Sequence, residues 1–329
     1  MKSLRRVVPL LAVPLALTVA CSGSSDPAGS TEPPGENRTV SVADRFGEVT
    51  LDETPERVVT LSVSDNDAAL AAGVVPVAMT ASVVRPVMPW TEDAVTELGG
   101  TVPPLLEFTE VPVEEIASYE PDLILATGIE LENSVYEQLS AVAPTLARAD
   151  EKKADSWTQQ TQRVAELFGV RDEIDARIEA VETELASAKE QHPELDGATY
   201  VVSLLHSTDR AGLLTGPDSA TSQLFGDLGL VPSPATEQYV AQGKDNQISP
   251  ENFDLFEADV FIGYFPDESF RESYSAMPVF ASLDVVREGR HYVPTDEEWR
   301  AFRSTSLLSM AWLGEQLPEK IAAAVRGDA

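Results

Sequence analysis

Three histidines, one cysteine and 55 acidic residues narrow the chemistry open to this 329-residue chain. A bare zinc or manganese ion needs several converging His and carboxylate ligands, and His192, His206 and His291 are too few and too scattered to supply them. His192 closes a helical stretch and His291 lies in the turn GRHY, so both are expected at the surface, whereas His206 ends the run VVSLLH and is expected to face a site. No G-x-S-x-G elbow, no GxGxxG and no P-loop cradle occurs, which disfavours nucleophilic and phosphate chemistry. Recognition chemistry remains. Arginine holds donors in a planar fork that suits oxygen acceptors, and Trp and Tyr offer flat apolar area with one polar tip. Among so many acids, Arg210 in HSTDRAG and Arg303 in EEWRAFRST stand out, with Trp90, Tyr239, Tyr264 and Trp299 in comparable loop positions. Each has an ordinary alternative: Trp90 or Tyr239 as a loop anchor, Arg303 as partner of a surface carboxylate. Trp157 and Trp312 fall on apolar helical stripes and read as core.

The elements that must position these residues begin after a leader. Lys2, Arg5 and Arg6 precede an apolar stretch, Val7 to Ala20, broken by Pro9 and Pro14, so residues 1–20 read as a signal peptide, too short for a permanent span. The segment LTVAC, Leu17 to Cys21, resembles a bacterial lipobox, with Thr18 as a departure; Cys21 is then the acylated residue, and an incidental thiol is the alternative. The Ser-, Gly- and Pro-rich run from Ser22 to Glu36 cannot bury enough surface to fold, so residues 21–37 read as a tether to the outer face of the cell membrane. The net charge of −32 is spread along the chain; it opposes binding to nucleic acid or an anionic bilayer and reads as a solvated exterior.

The folded part is longer than one core usually serves, and it contains a repeat. Val58 to Leu61 (VVTL) leads through a helix-like stretch to Gly73 and VVP; Val201 to Leu204 (VVSL) leads in the same way to Gly229 and LVP, with a longer loop. VEEIASYEPDLILA from Val113 and PENFDLFEADVFIG from Pro250 align at Glu114 with Glu251, Tyr119 with Phe256, Glu120 with Glu257 and Asp122 with Asp259. Each copy reads as a short helix feeding a buried apolar strand, an alternation that implies parallel sheets with crossover helices. Between the copies, Ile174, Ile178, Val181, Leu185 and Ala188 mark an amphipathic helix ending at His192 and Pro193. The expectation is an α/β protein of two Rossmann-like lobes, residues 38–154 and 194–329, joined by a rigid helical segment, 155–193, that permits modest closure.

PERVVTL with GVVPVAM, VPVEEIASYEPDLILATG, AVAPTL, ISPENFDLFEADVFI, MPVFASLDVVREGRHYVP and STSLLSMAWLGEQL follow one another in an order that resembles the iron-siderophore and cobalamin class of binding proteins serving ABC importers. The resemblance covers essentially the whole mature chain and is strongest to ferric-siderophore lipoproteins of high-GC Gram-positive bacteria. It implies a ligand cleft between the lobes, lined by loops at strand carboxyl ends. It also implies docking of one acid from each lobe on a permease dimer, positions that fall on Glu114 and Glu251; a simple complement to a helix dipole is the alternative reading of both. The implied ligand is a ferric siderophore whose iron arrives already chelated, with no resident cofactor, metal site or catalysis, and a monomer is expected. On this reading Trp90, His206, Arg210, Tyr239, Tyr264, Trp299 and Arg303 are the cleft residues. Cobalamin or haem are alternative ligands. An extracellular α/β hydrolase and a surface adhesion or signalling protein are alternatives of other classes.

Overall fold

The computed structural model describes residues 39–83, 85–214, 219–244 and 246–328; the signal peptide, Cys21 and the tether lie outside them. Arg38–Ala329 form one compact unit. A hairpin, β1 (Val40–Asp44) and β2 (Gly47–Leu51), leads into the first repeat: β3 (Val58–Thr60), α1 (Val63–Ala71), β4 (Met79–Thr80), α2 (Pro89–Glu97), β5 (Leu105–Leu106), α3 (Val113–Ser118), β6 (Leu123–Ala126), α4 (Asn133–Ser140) and β7 (Thr145–Ala147). Strands β3, β6 and β7 pair in parallel, as do β4 and β5, and a parallel bridge from Val59 to Ala78 connects the two groups.

Two helices follow, α5 (Trp157–Phe168) and α6 (Arg171–Gln191), separated by Gly169 in the left-handed region at φ 72°. The second repeat comprises β8 (Thr199–Ser207), β9 (Arg210–Leu213), α7 (Ala220–Asp227), β10 (Val231–Pro232), α8 (Pro234–Ala241), β11 (Gln247–Ile248), a 3-10 segment (Pro250–Phe256), β12 (Val260–Tyr264), α9 (Glu268–Ala276), α10 (Pro278–Ala281), α11 (Asp284–Arg287), β13 (His291–Tyr292), α12 (Asp296–Arg303) and α13 (Leu307–Arg326). Strands β10, β8, β12 and β13 run parallel, while β9 folds back antiparallel on β8 and carries β11. The longer loop of the second repeat is therefore in part a hairpin.

The duplicated motif has a physical basis in both lobes. Asp122 accepts the backbone N–H groups of Glu56 and Arg57 at 2.8 and 2.9 Å, just before β3, and Asp259 accepts the N–H of Thr199 at 2.7 Å, where β8 begins. Each carboxylate fixes the register of its own lobe's first strand against the strand that follows it. The helix after that strand ends in both lobes at a glycine of positive φ, Gly73 at 87° and Gly229 at 92°, a conformation costly for any side chain.

The connection between the lobes differs from a lone rod. α5 seals the first lobe's core with Val164, Leu167 and Phe168. α6 packs along α13, and one hydrophobic cluster runs from Val63, Met88 and Trp90 in the first lobe through Ile174, Ile178, Val181 and Leu185 to Tyr200, Phe225 and Phe302 in the second. Burying each large side chain of the α6 stripe contributes about 1.5–3 kcal/mol. His192, expected at the surface, is partly covered and sits 3.4 Å from Glu319. His291, likewise expected there, is half-buried on β13, and that burial together with the Arg271 charge lowers its pKa.

Candidate functional site

The carboxyl ends of the first lobe's parallel strands open onto a cleft of about 490 Å³, closed on the far side by Arg300 and Ser304 at the end of α12. Its near wall includes Thr80, the last residue of β4, and Ser62, Phe108 and Gly128 on segments that leave a strand or cap a helix. A strand's last residue has its chain turning away, so loop side chains and helix N-termini meet there without disturbing the ladder.

A buried carboxylate fixes this wall from beneath. Asp65, in the first turn of α1, accepts from the Ser62 hydroxyl at 2.6 Å, from the Thr127 N–H and hydroxyl, from the Gly128 N–H and from the Gln160 side chain. Gln160 on α5 also donates to Ser64 at 2.9 Å and Thr127 at 2.6 Å. Burial pushes the Asp65 carboxyl up, while the bonds from Ser62, Thr127 and Gly128 pull it back. Three elements, α1, the end of β6 and α5, are thereby tied at one point. Gly128 is required by the crowding: a Cβ there would stand 2.1 Å from the Ser62 oxygen.

A second buried carboxylate lies on the same helix. Asp67 accepts from the Trp90 indole N–H at 2.7 Å, from the Thr91 hydroxyl at 2.7 Å and from the Ser306 hydroxyl at 2.6 Å. Burial pushes its carboxyl up to about 6, against those three bonds.

The opposite wall depends on how α12 is held. Thr295 and Glu298 form a capping box at its start, and Glu298, 1% exposed, also accepts from Tyr292 at 2.6 Å and Lys320 at 2.7 Å. At its end, Thr221 on α7 donates to the Phe302 carbonyl at 3.1 Å. Trp299, 5% exposed, stacks on Tyr264 with ring centres 4.5 Å apart. These contacts fix the rotation of α12 and turn Arg300 to the cleft. Its Nε is buried without a hydrogen-bond partner, and burial, then the charge of Arg303, lowers its pKa.

None of the seven aromatic, basic and histidine side chains expected in the cleft lies among the described residues that line it. Trp90 is a correction: it is 5% exposed in the shared core, where its N–H serves Asp67 and its ring meets Trp312 at 5.1 Å. Trp299 and Tyr264 are buried as a stacked pair behind the wall, with the Tyr264 hydroxyl on Asp296 at 2.7 Å. Arg303 is exposed one turn beyond Arg300, over the Trp299 ring at 5.9 Å. His206 and Arg210 are exposed at the β8–β9 turn, and Tyr239 packs against the second lobe's core with Lys244 over its ring. Glu114 and Glu251 are both exposed, in the first turns of α3 and of the 3-10 segment. Sequence reasoning missed Arg300, although a count of one helical turn back from Arg303 finds it.

Two lobes of mainly parallel sheet, with a cleft between the strand ends of the first and α12 of the second, define a two-lobed solute-binding protein. The chain belongs to the periplasmic binding protein family, whose model matches residues 58–296. It is 30% identical over 186 residues to the ferric enterobactin-binding periplasmic protein FepB of Escherichia coli O6:H1, a match covering 53% of this chain and 56% of that relative, little more than half its length. It is 23% identical over 301 residues to the Fe(3+)-citrate-binding protein YfmC of Bacillus subtilis, covering 90% of this chain and 91% of that one. The crystal structure of Streptococcus pneumoniae PiaA in complex with ferrichrome superposes with a TM-score of 0.74 at 25% identity, over 88% of this chain and 99% of that one. Among the described residues no helix is long and apolar enough to cross a membrane.

Proposed function

We propose that this protein is the extracellular binding component of an ABC importer, that it takes a ferric siderophore into the inter-lobe cleft, and that it hands the chelate to a permease dimer without turning it over. The observation that carries this reading is Arg300, a half-buried cation with an unpartnered Nε on the wall of an open cleft. A buried donor left without a partner costs free energy in the empty protein, which a ligand oxygen removes. The family and the two iron-chelate relatives support the same assignment. Iron enters as cargo inside its chelator. Glu114 and Glu251 are the docking acids, and Cys21 carries the lipid that holds a monomer to the outer face of the membrane.

Tryptophan fluorescence tests the reading, because Trp299 is buried directly behind the wall and next to Arg300 in the sequence. Quenching by at least one ferric siderophore, with none by cobalamin or haem, is the expected result. A chain that responds to no iron chelate is not the protein described.

A further inference from the structure

Many arginines away from the cleft meet carboxylates or backbone carbonyls: Arg163 with Asp155, Arg171 with Asp175 at 2.9 Å, Arg287 with Asp284 at 2.8 Å, and Arg57 and Arg177 on carbonyls. In a chain with 55 acidic residues such pairing is what chance and Coulomb attraction give. On the α12 side of the cleft the pattern fails. Arg300 and Arg303 stand close enough for the second charge to act on the first, and among the described residues no ion pair to a carboxylate relieves either.

The other lobe repeats the arrangement. Arg148 directly follows β7, at the same carboxyl edge of the sheet, and donates to the carbonyl of Gly128, itself part of the cleft wall, at 3.4 Å. Its Nε is buried without a partner. Beside it the backbone N–H of Arg45 bonds the Arg148 carbonyl at 2.9 Å; the Arg45 guanidinium lies 4.5 Å over Phe46, which stacks on Tyr136, and its Nη1 is also buried and unpartnered. Three of the five buried side-chain atoms without partners among the described residues are therefore guanidinium nitrogens bordering this cleft or the strand edge next to it. Among the described residues none of the nearby acids forms an ion pair with them. Glu107 is the carboxylate among the described lining residues and is exposed, Asp65 is consumed by five donors, and Asp150, which feels Arg45, is solvent-exposed and bound to the Lys152 and Lys153 amides.

We propose that the cleft is built for a chelate of net negative charge, gripped by Arg300 from one lobe, with Arg303 one turn beyond it, and by Arg148, with Arg45 beside it, from the other. This rests on the reading of the cleft as an iron-chelate site and adds the charge class of the ligand. Like charges held on both sides of the cleft repel one another. An anion between them converts that repulsion into attraction at both sides, whereas a neutral chelate gains only hydrogen bonds and a cationic one adds to the repulsion. Guanidinium remains charged throughout the physiological range, so the preference persists across it.

The test is a set of dissociation constants for four ferric probes, at low and high salt: ferric enterobactin and ferric citrate, which are anionic, ferrichrome, which is neutral, and ferrioxamine B, which is cationic. One of the anionic probes is expected to bind about 100-fold or more tighter than ferrichrome, with ferrioxamine B weakest and the anionic affinity falling as salt rises. Arg300→Gln and Arg148→Gln are each expected to weaken the anionic probe about 10- to 100-fold while leaving ferrichrome within about twofold. Arg287→Gln, outside the cleft, is the control, and unchanged thermal unfolding excludes misfolding as the cause. Ferrichrome or ferrioxamine B binding as tightly as the better anion overturns the proposal and leaves the iron-chelate reading intact. Failure of every ferric probe overturns both.

Discussion

Ser306, at the start of the last helix, donates its hydroxyl to Asp67 on the first helix at 2.6 Å, across 239 positions of sequence and inside the core. The bond joins the two lobes, and the acid that receives it is pushed from 3.8 up to about 6 by burial.

Stability should therefore depend on pH through Asp67. Below about pH 4 the folded and unfolded chains both hold the proton; between about 4 and 6 the folded chain alone does; above 6 neither does. Stability from this group thus falls as pH rises through the window, by roughly 3 kcal/mol in all. Denaturant titrations of the wild type and Asp67→Asn should show the wild type gaining on the variant by about that amount from pH 7 to pH 4. A constant difference means that Asp67 titrates as an ordinary carboxylate.

Trp90→Phe keeps most of the ring and deletes the N–H that Asp67 accepts. The loss of a buried bond to a charged acceptor is expected to cost about 1.5–3 kcal/mol at pH 7, read as a lower denaturation midpoint. The cost should shrink at pH 4, where the carboxyl is protonated.

Gly128→Ala drives a methyl group into the Ser62 and Ser64 hydroxyls, 2.1 and 2.6 Å from the new atom. Overpacking of about 1–3 kcal/mol is expected. Because Ser62 both caps α1 and lines the cleft, ligand affinity should fall with stability, which calorimetry on the same sample checks.

Glu114→Ala combined with Glu251→Ala should leave the ligand dissociation constant unchanged, since both residues are exposed and neither lines the cleft. Iron uptake by cells carrying the double variant should drop about 10-fold or more if these acids meet the permease. Undiminished uptake removes them from that role.

Much of the scaffold was readable because its signals are local. Runs such as LILA and VFIG are too apolar for anything but a buried strand, and the stripe from Ile174 to Ala188 marks the face of α6 that packs on α13. The paired Asp122 and Asp259 were visible as a repeat, and their bonds to the strand starts explain it. The binding wall was not readable in the same way. Which arginine of EEWRAFR faces the cleft depends on the rotation of α12, set by Tyr264, Thr221 and Lys320 from distant parts of the chain. Asp65 and Asp67 in SDNDA look like solvent-facing acids, yet every residue of α1 is buried and both carboxylates are satisfied by donors from elsewhere. An aromatic in a loop, such as Trp90, advertises a binding face until a buried acceptor claims it.

The hydrophobic cluster that runs from α1 through α6 to α13 has made a duplicated molecule indivisible. Cutting after Gln191 would leave Ile174, Ile178, Val181 and Leu185 facing water on one piece and the matching stripe of α13 bare on the other. Neither fragment is equipped to survive alone, so the two halves are bound to melt as one body however alike their sequences remain.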